Sequence, residues 1–145
     1  RQLAQAIIQR AAAWGIGMAS VEEIDSINIL QASLLAMRRA VEFCPLQPTL
    51  AYVDGRDDPG LSIKSEKIVN GDATVPLISC ASIVAKVFRD DLMQAYAKEY
   101  PGYGLARHMG YGTAAHIKAL DTKGILRIHR KSFKPVALRS TSLGV

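Results

Sequence analysis

Two aspartates stand where apolar runs stop beside a glycine. Asp54 closes Leu50-Ala51-Tyr52-Val53-Asp54 before Gly55, and Asp72 follows Ile68-Val69-Asn70-Gly71. Each run is expected to lie in the core of a sheet and to deliver one carboxylate to its edge. Carboxylates gathered at one edge either repel each other or share a cation. Hydrolysis of a phosphodiester by such a cluster needs hard oxygen ligands that hold two divalent ions roughly 4 Å apart, one activating water and one stabilising the leaving oxygen. Mg²⁺ suits this role because it accepts one or two carboxylates, keeps several waters and completes its shell from phosphate. On spacing alone, the plainer reading is that Asp54-Gly55 and Gly71-Asp72 are turn dipeptides. Asp90 and Asp91 lie well inside a helical stretch, where pairing with Arg89 or Lys86, or exposure to solvent, is expected.

A second group of residues suits a polyanion. The stretch Tyr100-Pro-Gly-Tyr-Gly-Leu-Ala-Arg-His-Met-Gly-Tyr-Gly-Thr113 places glycines at 102, 104, 110 and 112, where backbone can approach a ligand closely. Tyr103 and Tyr111 offer rings for stacking and hydroxyls for hydrogen bonds, flanked by Arg107 and His108. Recognition of RNA needs such groups, since a 2′-hydroxyl is read by a hydrogen bond beside a stacking surface. A structural loop whose tyrosines fill the rim of the core is the competing reading. Arg127, Arg130, Lys131 and Lys134 can hold phosphates without regard to sequence, or can form a solvated basic face. From Leu105 to Val145 there are eight Lys or Arg and one acid, Asp121, whereas residues 1–104 carry 10 bases and 12 acids. An acidic site facing a basic arm fits an enzyme that holds hard cations and works on a polyanion. His108, His116 and His129 lack the spacing of a zinc site.

The elements that must position these residues alternate. Gln2 to Trp14 reads as a helix with Leu3, Ile7, Ile8 and Ala11 on one face. Gly15-Ile16-Gly17-Met18-Ala19 is short, apolar and bounded by glycine, as a strand is. Ser20-x-x-Glu23 is a capping-box pattern that opens a helical turn. Ile27, Leu30, Leu34, Met37 and Val41 then form the apolar stripe of a long helix, ended by Pro45 and Pro48. The Leu50–Asp54 strand follows, then a turn-rich loop from Gly55 to Gly60 and a second buried strand over Lys67 to Val69. Thr74 is expected to cap a helix that carries Pro76 in its first turn and runs to about Ala97, with Leu77, Ala81, Val84, Phe88 and Leu92 facing inward. Thr113 caps a further helix that Lys123-Gly124 ends, and Ser140 to Val145 is expected to be a loose tail. Strands alternating with helices point to a single α/β domain.

Composition sets wider bounds. The 145 residues suffice for one core, and 49% hydrophobic with 21% charged content is ordinary for a globular protein. The pI near 9.4 favours a polyanionic partner. Cys44 and Cys80 are expected to be buried free thiols of a cytoplasmic protein. No apolar run approaches the ~18 residues of a membrane span, and no signal peptide is visible. The chain starts at Arg1 inside a helical stretch, so it is expected not to be a complete gene product.

The run Gly71-Asp72-Ala-Thr-Val-Pro-Leu-Ile-Ser-Cys-Ala-Ser-Ile-Val-Ala-Lys-Val-Phe-Arg-Asp90 closely resembles ribonuclease HII. So do Tyr100-Pro-Gly-Tyr-Gly104, His108-Met-Gly-Tyr-Gly-Thr113, Ile128-His-Arg-Lys-Ser-Phe133, Val53-Asp54-Gly55 and the stretch Trp14 to Val41. The resemblance covers Gln2 to about Val136. It implies a ribonuclease H-like α/β fold, a mixed sheet flanked by helices, with a mostly helical C-terminal extension. Residues 1–99 would then be the C-terminal part of the catalytic fold, and residues 100–145 the glycine and tyrosine loop with the basic extension. The implied reaction is divalent-metal endonucleolytic hydrolysis, with Mg²⁺ or Mn²⁺, of RNA in RNA–DNA hybrids. Cutting on the 5′ side of a ribonucleotide embedded in duplex DNA is included. By resemblance, two of the family's four metal-binding carboxylates carry over onto Asp54 and Asp72, and its junction tyrosine onto Tyr111. Arg107, His108, Arg130 and Lys131 are the further candidates for nucleic-acid binding. The protein is expected to act as a cytoplasmic monomer.

The departures lie at the front. The family's other two carboxylates form an Asp-Glu pair in an opening strand followed by a Gly-Arg-Gly loop, and neither sequence occurs here. The N-terminal strands of the fold are therefore expected to be absent from this chain, leaving an open apolar edge and half a metal site. Val21-Glu22-Glu23 lies after the first helix and does not replace the missing pair, and Asn70 stands where a lysine is common. Two other readings follow: a catalytically incomplete fragment that binds hybrid duplex without cutting it, and a structural or partner-binding domain that shares only descent.

Overall fold

The computed structural model describes residues 1–140, so the tail expected over Ser140 to Val145 falls, beyond its first residue, outside the described residues. The order is α1 (Gln2–Arg10), α2 (Val21–Glu42), β1 (Leu50–Asp54), β2 (Lys64–Ile68), α3 (Gly71–Thr74), α4 (Pro76–Glu99), α5 (Leu105–His108), α6 (Ala114–Lys123) and α7 (Lys134–Ser140). The expected α/β class is observed. The described residues form two compact units, Arg1–Ala19 with Ile29–Val87, and Ser20–Asn28 with the residues from Phe88 on. The division falls inside α4. Segment 20–28 joins the second unit because Asp25 accepts hydrogen bonds from the amides of Lys131 and Ser132, at 2.7 and 2.8 Å.

In the first unit, α1 stops at Arg10, short of the expected Trp14, and its buried residue is Ala4, while Leu3 is exposed. Gly15 to Ala19 is not a strand. No ladder partner flanks it; the segment instead lies flat on α2. A Cβ at Gly17 would stand 1.9 Å from the carbonyl oxygen of Ala36, and one at Gly15 2.3 Å from that of Ala40. The two glycines serve close backbone approach, and Arg39 secures the run by donating to the Met18 carbonyl at 2.7 Å.

The capping box at Ser20 forms as its sequence predicts. Glu23 accepts from the Ser20 amide at 2.8 Å, and the Ser20 hydroxyl accepts from the Glu23 amide at 3.2 Å. The helix that follows breaks at Asn28, whose φ is 68°, a conformation that asparagine tolerates better than most residues. Of the expected stripe on α2, Leu34 is buried together with Ala32, but Ile27 and Leu30 are exposed.

β1 and β2 pair in parallel, with Leu50 opposite Lys64 and Asp54 opposite Ile68. The loop between them is held by Asp58, which accepts from the Gly60 amide at 2.8 Å, and by Arg38, which donates to the carbonyl of the buried Pro59 at 3.1 Å. The expectation that both runs lie inside a sheet is not met. Only Val53 of β1 is buried, β2 has no buried residue, and Val69 lies beyond its end and is exposed. In a sheet of two strands, each strand lacks a neighbour on one side, and the apolar edge stays open.

Thr74 does not cap α4. Its hydroxyl donates to the Asn70 carbonyl at 3.0 Å, closing the single turn of α3, and the extended residue Val75 leads into Pro76. On α4 the buried residue is Ile78, whereas Leu77, Ala81 and Phe88 are exposed. Of the expected stripe, Val84 and Leu92 are half-buried. Cys44 and Cys80 are free and half-buried.

The second unit has a closed core of Tyr103, Leu105, Ala119, Leu120 and Val136, with Tyr96, Tyr100, Ile125, Ile128 and Phe133 packed against it. Burying a side chain such as Leu105 contributes about 1.5–3 kcal/mol. Thr113 caps α6 as expected, accepting from the His116 amide at 3.3 Å, and Gly124 ends it with φ 84°. Arg139 of α7 holds Asp121 of α6 at 2.6 Å.

Candidate functional site

Asp54 is the last residue of β1, and Gly71 opens α3 directly after β2. The Asp54 carboxylate accepts a hydrogen bond from the Gly71 amide at 2.8 Å, so the residue before Asp72 is tied to Asp54. The parallel register delivers both aspartates to one end of the two-strand sheet. A Cβ at Gly71 would stand 2.5 Å from the end of the Ile78 side chain, which would have to shift. The backbone carbonyl of Asp72 in turn accepts from the Ser79 hydroxyl. Both aspartates are exposed. They are hard oxygen donors of the kind a divalent cation takes one or two of. Among the described residues, no group of three or more His, Cys, Asp or Glu side chains is placed to hold a metal ion.

The other candidates stand in the second unit. Tyr111 is 65% exposed, with its ring over the Arg89 guanidinium at 5.0 Å. Arg89 also donates to the Met109 carbonyl at 2.8 Å, so one cation grips the loop through ring and backbone. Sequence reasoning gave Arg89 no such part. Its place in a helix, 20 residues ahead of its partner, offers no local signal. Arg107 lines an open cavity of about 530 Å³ with Gly102, Gly104, His108 and Thr113. Arg130 is half-buried and lies over the Phe133 ring at 5.3 Å. Lys131 is exposed and its charge acts on Asp25. Burial raises the Asp25 carboxyl, but the hydrogen bonds from Ser132 and Lys131, helped by that charge, hold it below the usual carboxylate range. Arg127 pairs with Glu99 at 3.8 Å on the surface.

His108 is placed differently from its expectation as a ligand-facing group. It is buried, one ring nitrogen lies 2.7 Å from the Tyr103 carbonyl, and the other accepts from the Gly110 amide at 3.2 Å. Neither nitrogen remains for a phosphate. His116 and His129 join it. The rings of His108 and His116 stack at 4.3 Å, and the Nε2 atoms of His116 and His129 are 3.1 Å apart. Burial pushes the His116 imidazole down, reinforced by His108 and opposed by backbone carbonyls, and it pushes His129 down to about 4, reinforced by His116. The sequence shows three separated histidines, and nothing in their spacing announces the cluster.

A family model described as Ribonuclease HII matches residues 1–136. The chain is 54% identical over 138 residues to the Ribonuclease HII of Polynucleobacter asymbioticus, covering 92% of this chain and 70% of that protein. It is 49% identical over 130 residues to the Ribonuclease HII of Vibrio vulnificus (strain YJ016), covering 90% of this chain and 63% of that one. The chain thus spans between 63% and 70% of the length of these relatives. Among solved structures it is similar to the crystal structure of the ribonuclease H2 from Pyrococcus horikoshii OT3, with a TM-score of 0.81 over 99% of this chain and 75% of that one. At 18% identity, that likeness concerns the fold.

Proposed function

The chain belongs to the ribonuclease HII family, and on that premise we propose that it is the larger part of an endonuclease. The enzyme hydrolyses the RNA strand of RNA–DNA hybrids and cuts on the 5′ side of ribonucleotides embedded in duplex DNA. The observation that supports this reading is the hydrogen bond from the Gly71 amide to Asp54, which ties the residue before Asp72 to the end of β1. Asp54 and Asp72 are the residues that would hold Mg²⁺ or Mn²⁺. The bound cation supplies charge neutralisation at phosphate and an activated water. The Tyr111 ring offers its exposed surface to the sugar at the RNA–DNA junction. Arg107, Arg130 and Lys131 contribute positive charge along the phosphate backbone.

No helix among the described residues is long and apolar enough to cross a membrane. We place the protein in the cytoplasm as a monomer, where free Cys44 and Cys80 would stay reduced.

A gel assay on a labelled DNA duplex with one ribonucleotide, in Mg²⁺ and then Mn²⁺, tests the reading. A cut 5′ of the ribonucleotide is expected from the whole enzyme. Asp54→Asn or Asp72→Asn should abolish most of it while leaving duplex binding intact, and near-native cutting by either variant would remove the metal assignment. Tyr111→Ala should lower discrimination of the ribonucleotide junction more than general duplex binding. Equal losses on all-DNA and ribonucleotide-containing duplexes would sink that role.

A second reading is favoured by one observation, the absence of a third metal-ligating side chain beside the two aspartates among the described residues. By itself, this chain would then bind duplex without cutting it. A salt-sensitive shift of the duplex with no cleavage is the result that selects this reading.

A further inference from the structure

We propose that the buried chain His108–His116–His129 positions Tyr111, with His116 as its positioning residue, and that the loop holds its shape only while all three imidazoles are uncharged. The proposal rests on Tyr111 reading the ribonucleotide.

The Tyr111 carbonyl lies 3.0 Å from Nδ1 of His116, and a carbonyl can only accept, so the proton of His116 is on Nδ1. Its Nε2 must therefore accept, and the group 3.1 Å away is Nε2 of His129. His129 can donate there because its own Nδ1 accepts from the Leu126 amide at 2.9 Å. His108 is fixed in the same way, donating from Nε2 to the Tyr103 carbonyl and accepting on Nδ1 from the Gly110 amide. Every ring nitrogen has a partner, and one assignment of three protons satisfies all of them. An added proton meets a hydrogen-bond donor on each ring. It would face the His129 N–H at His116, the Leu126 amide at His129, or the Gly110 amide at His108.

The end of this chain is the loop that carries Tyr111. Its carbonyl accepts from both His116 Nδ1 and the Thr113 amide, at 3.0 and 2.8 Å, and its own amide donates to the His108 carbonyl at 2.8 Å. The ring is 65% exposed, so its direction is set by this backbone and by Arg89 rather than by packing. Facing the imidazoles are Tyr103 from the loop, whose ring stands 5.8 Å from His129 and whose phenol burial keeps neutral, and Arg107 from α5 at the cavity rim. The charges acting on His116 and His129 come from the other imidazoles, which oppose protonation.

Two measurements on the chain test this. Long-range ¹H–¹⁵N correlation at neutral pH should show His116 protonated on Nδ1, with His108 and His129 protonated on Nε2. A charged ring, or His116 protonated on Nε2, overturns the proposal whatever the protein does with nucleic acid. The second measurement is the ratio of affinities for a duplex with one ribonucleotide and for the same all-DNA duplex, at pH 7.5 and 4.5. In the unaltered chain that ratio should fall with acidification. His116→Leu should reduce it about fivefold to tenfold at pH 7.5, the loss of one buried hydrogen bond, as Tyr111→Ala does. His116→Asn, which can still donate from the place of Nδ1, should keep the ratio and remove most of its pH dependence. If Tyr111→Ala costs discrimination and folded His116→Leu does not, the histidines do not position it. If His116→Asn follows acidification as the unaltered chain does, the chain of imidazoles is not the cause. If Tyr111→Ala leaves the ratio unchanged, the reading of Tyr111 fails, and the histidines lose their proposed role while the proton assignment still stands or falls by the spectra.

Discussion

The two units of this molecule treat their large apolar side chains in opposite ways. In the first, Leu3, Trp14, Met18, Phe43, Leu46, Tyr52, Val69 and Leu77 are all exposed, and the buried apolar residues, Ala4, Ala32, Leu34, Val53 and Ile78, include no aromatic ring. In the second, Leu105, Leu120 and Val136 are sealed with Tyr103 against a ring of aromatics. The aspartates sit on the open unit and Tyr111 on the closed one. A carboxylate pair can be delivered by backbone hydrogen bonds and strand register without a finished core, whereas a loop that presents one exposed ring needs a rigid base beneath it.

The comparison can be broken by substitution. Leu105→Ala, at 1% exposure, should cost about 2–5 kcal/mol, while Leu77→Ala, at 69% exposure, should stay within about 0.5 kcal/mol. Urea denaturation of both variants decides it, and equal costs would end the contrast.

Acid should act on the closed unit next. His129 titrates near 4 when folded and near 6.5 when unfolded, so the unfolded chain binds the extra proton between those values. Its contribution is complete above about pH 6.5, declines as pH falls toward 4, and amounts to on the order of 2–3 kcal/mol. His116, shifted in the same direction, adds to the loss. A stability that stays flat from pH 7 to 4.5 would show that these rings are not held neutral.

A smaller effect should follow from Asp25→Ala, about 1–2 kcal/mol, with faster hydrogen exchange at the Lys131 and Ser132 amides that it leaves unpaired. Unchanged exchange there would mean that segment 20–28 does not belong to the closed unit.

The features legible in the sequence are those made within four residues. The Ser20–Glu23 box, the Thr113 cap and the Gly124 stop each depend on a near neighbour, and each forms as read. The apolar run that stops at Asp54 placed it at the end of a strand, and Asp54 closes β1, while Asp72 lies beyond β2 in α3. What sequence patterns misplaced depends on distant partners. Gly15 and Gly17 look like the borders of a strand, yet their purpose is contact with Ala36 and Ala40. On α4 only Val84 and Leu92 of the expected stripe are even half-buried, and the buried residue is Ile78, because the partner surface and not the period chooses the covered positions. The histidines meet across 13 residues through the fold itself.

The contact between Asp25 and the amides of Lys131 and Ser132 joins positions 106 and 107 residues apart. A ribosome adding roughly 5–20 residues per second exposes that carboxylate many seconds before its partners exist. Closing so long a loop costs entropy that is recovered only when the contact forms. The Ser20 capping box can form early and hold the helical turn in waiting. The second unit, by contrast, cannot be completed until the turns that carry Lys131 and Ser132 have been synthesised.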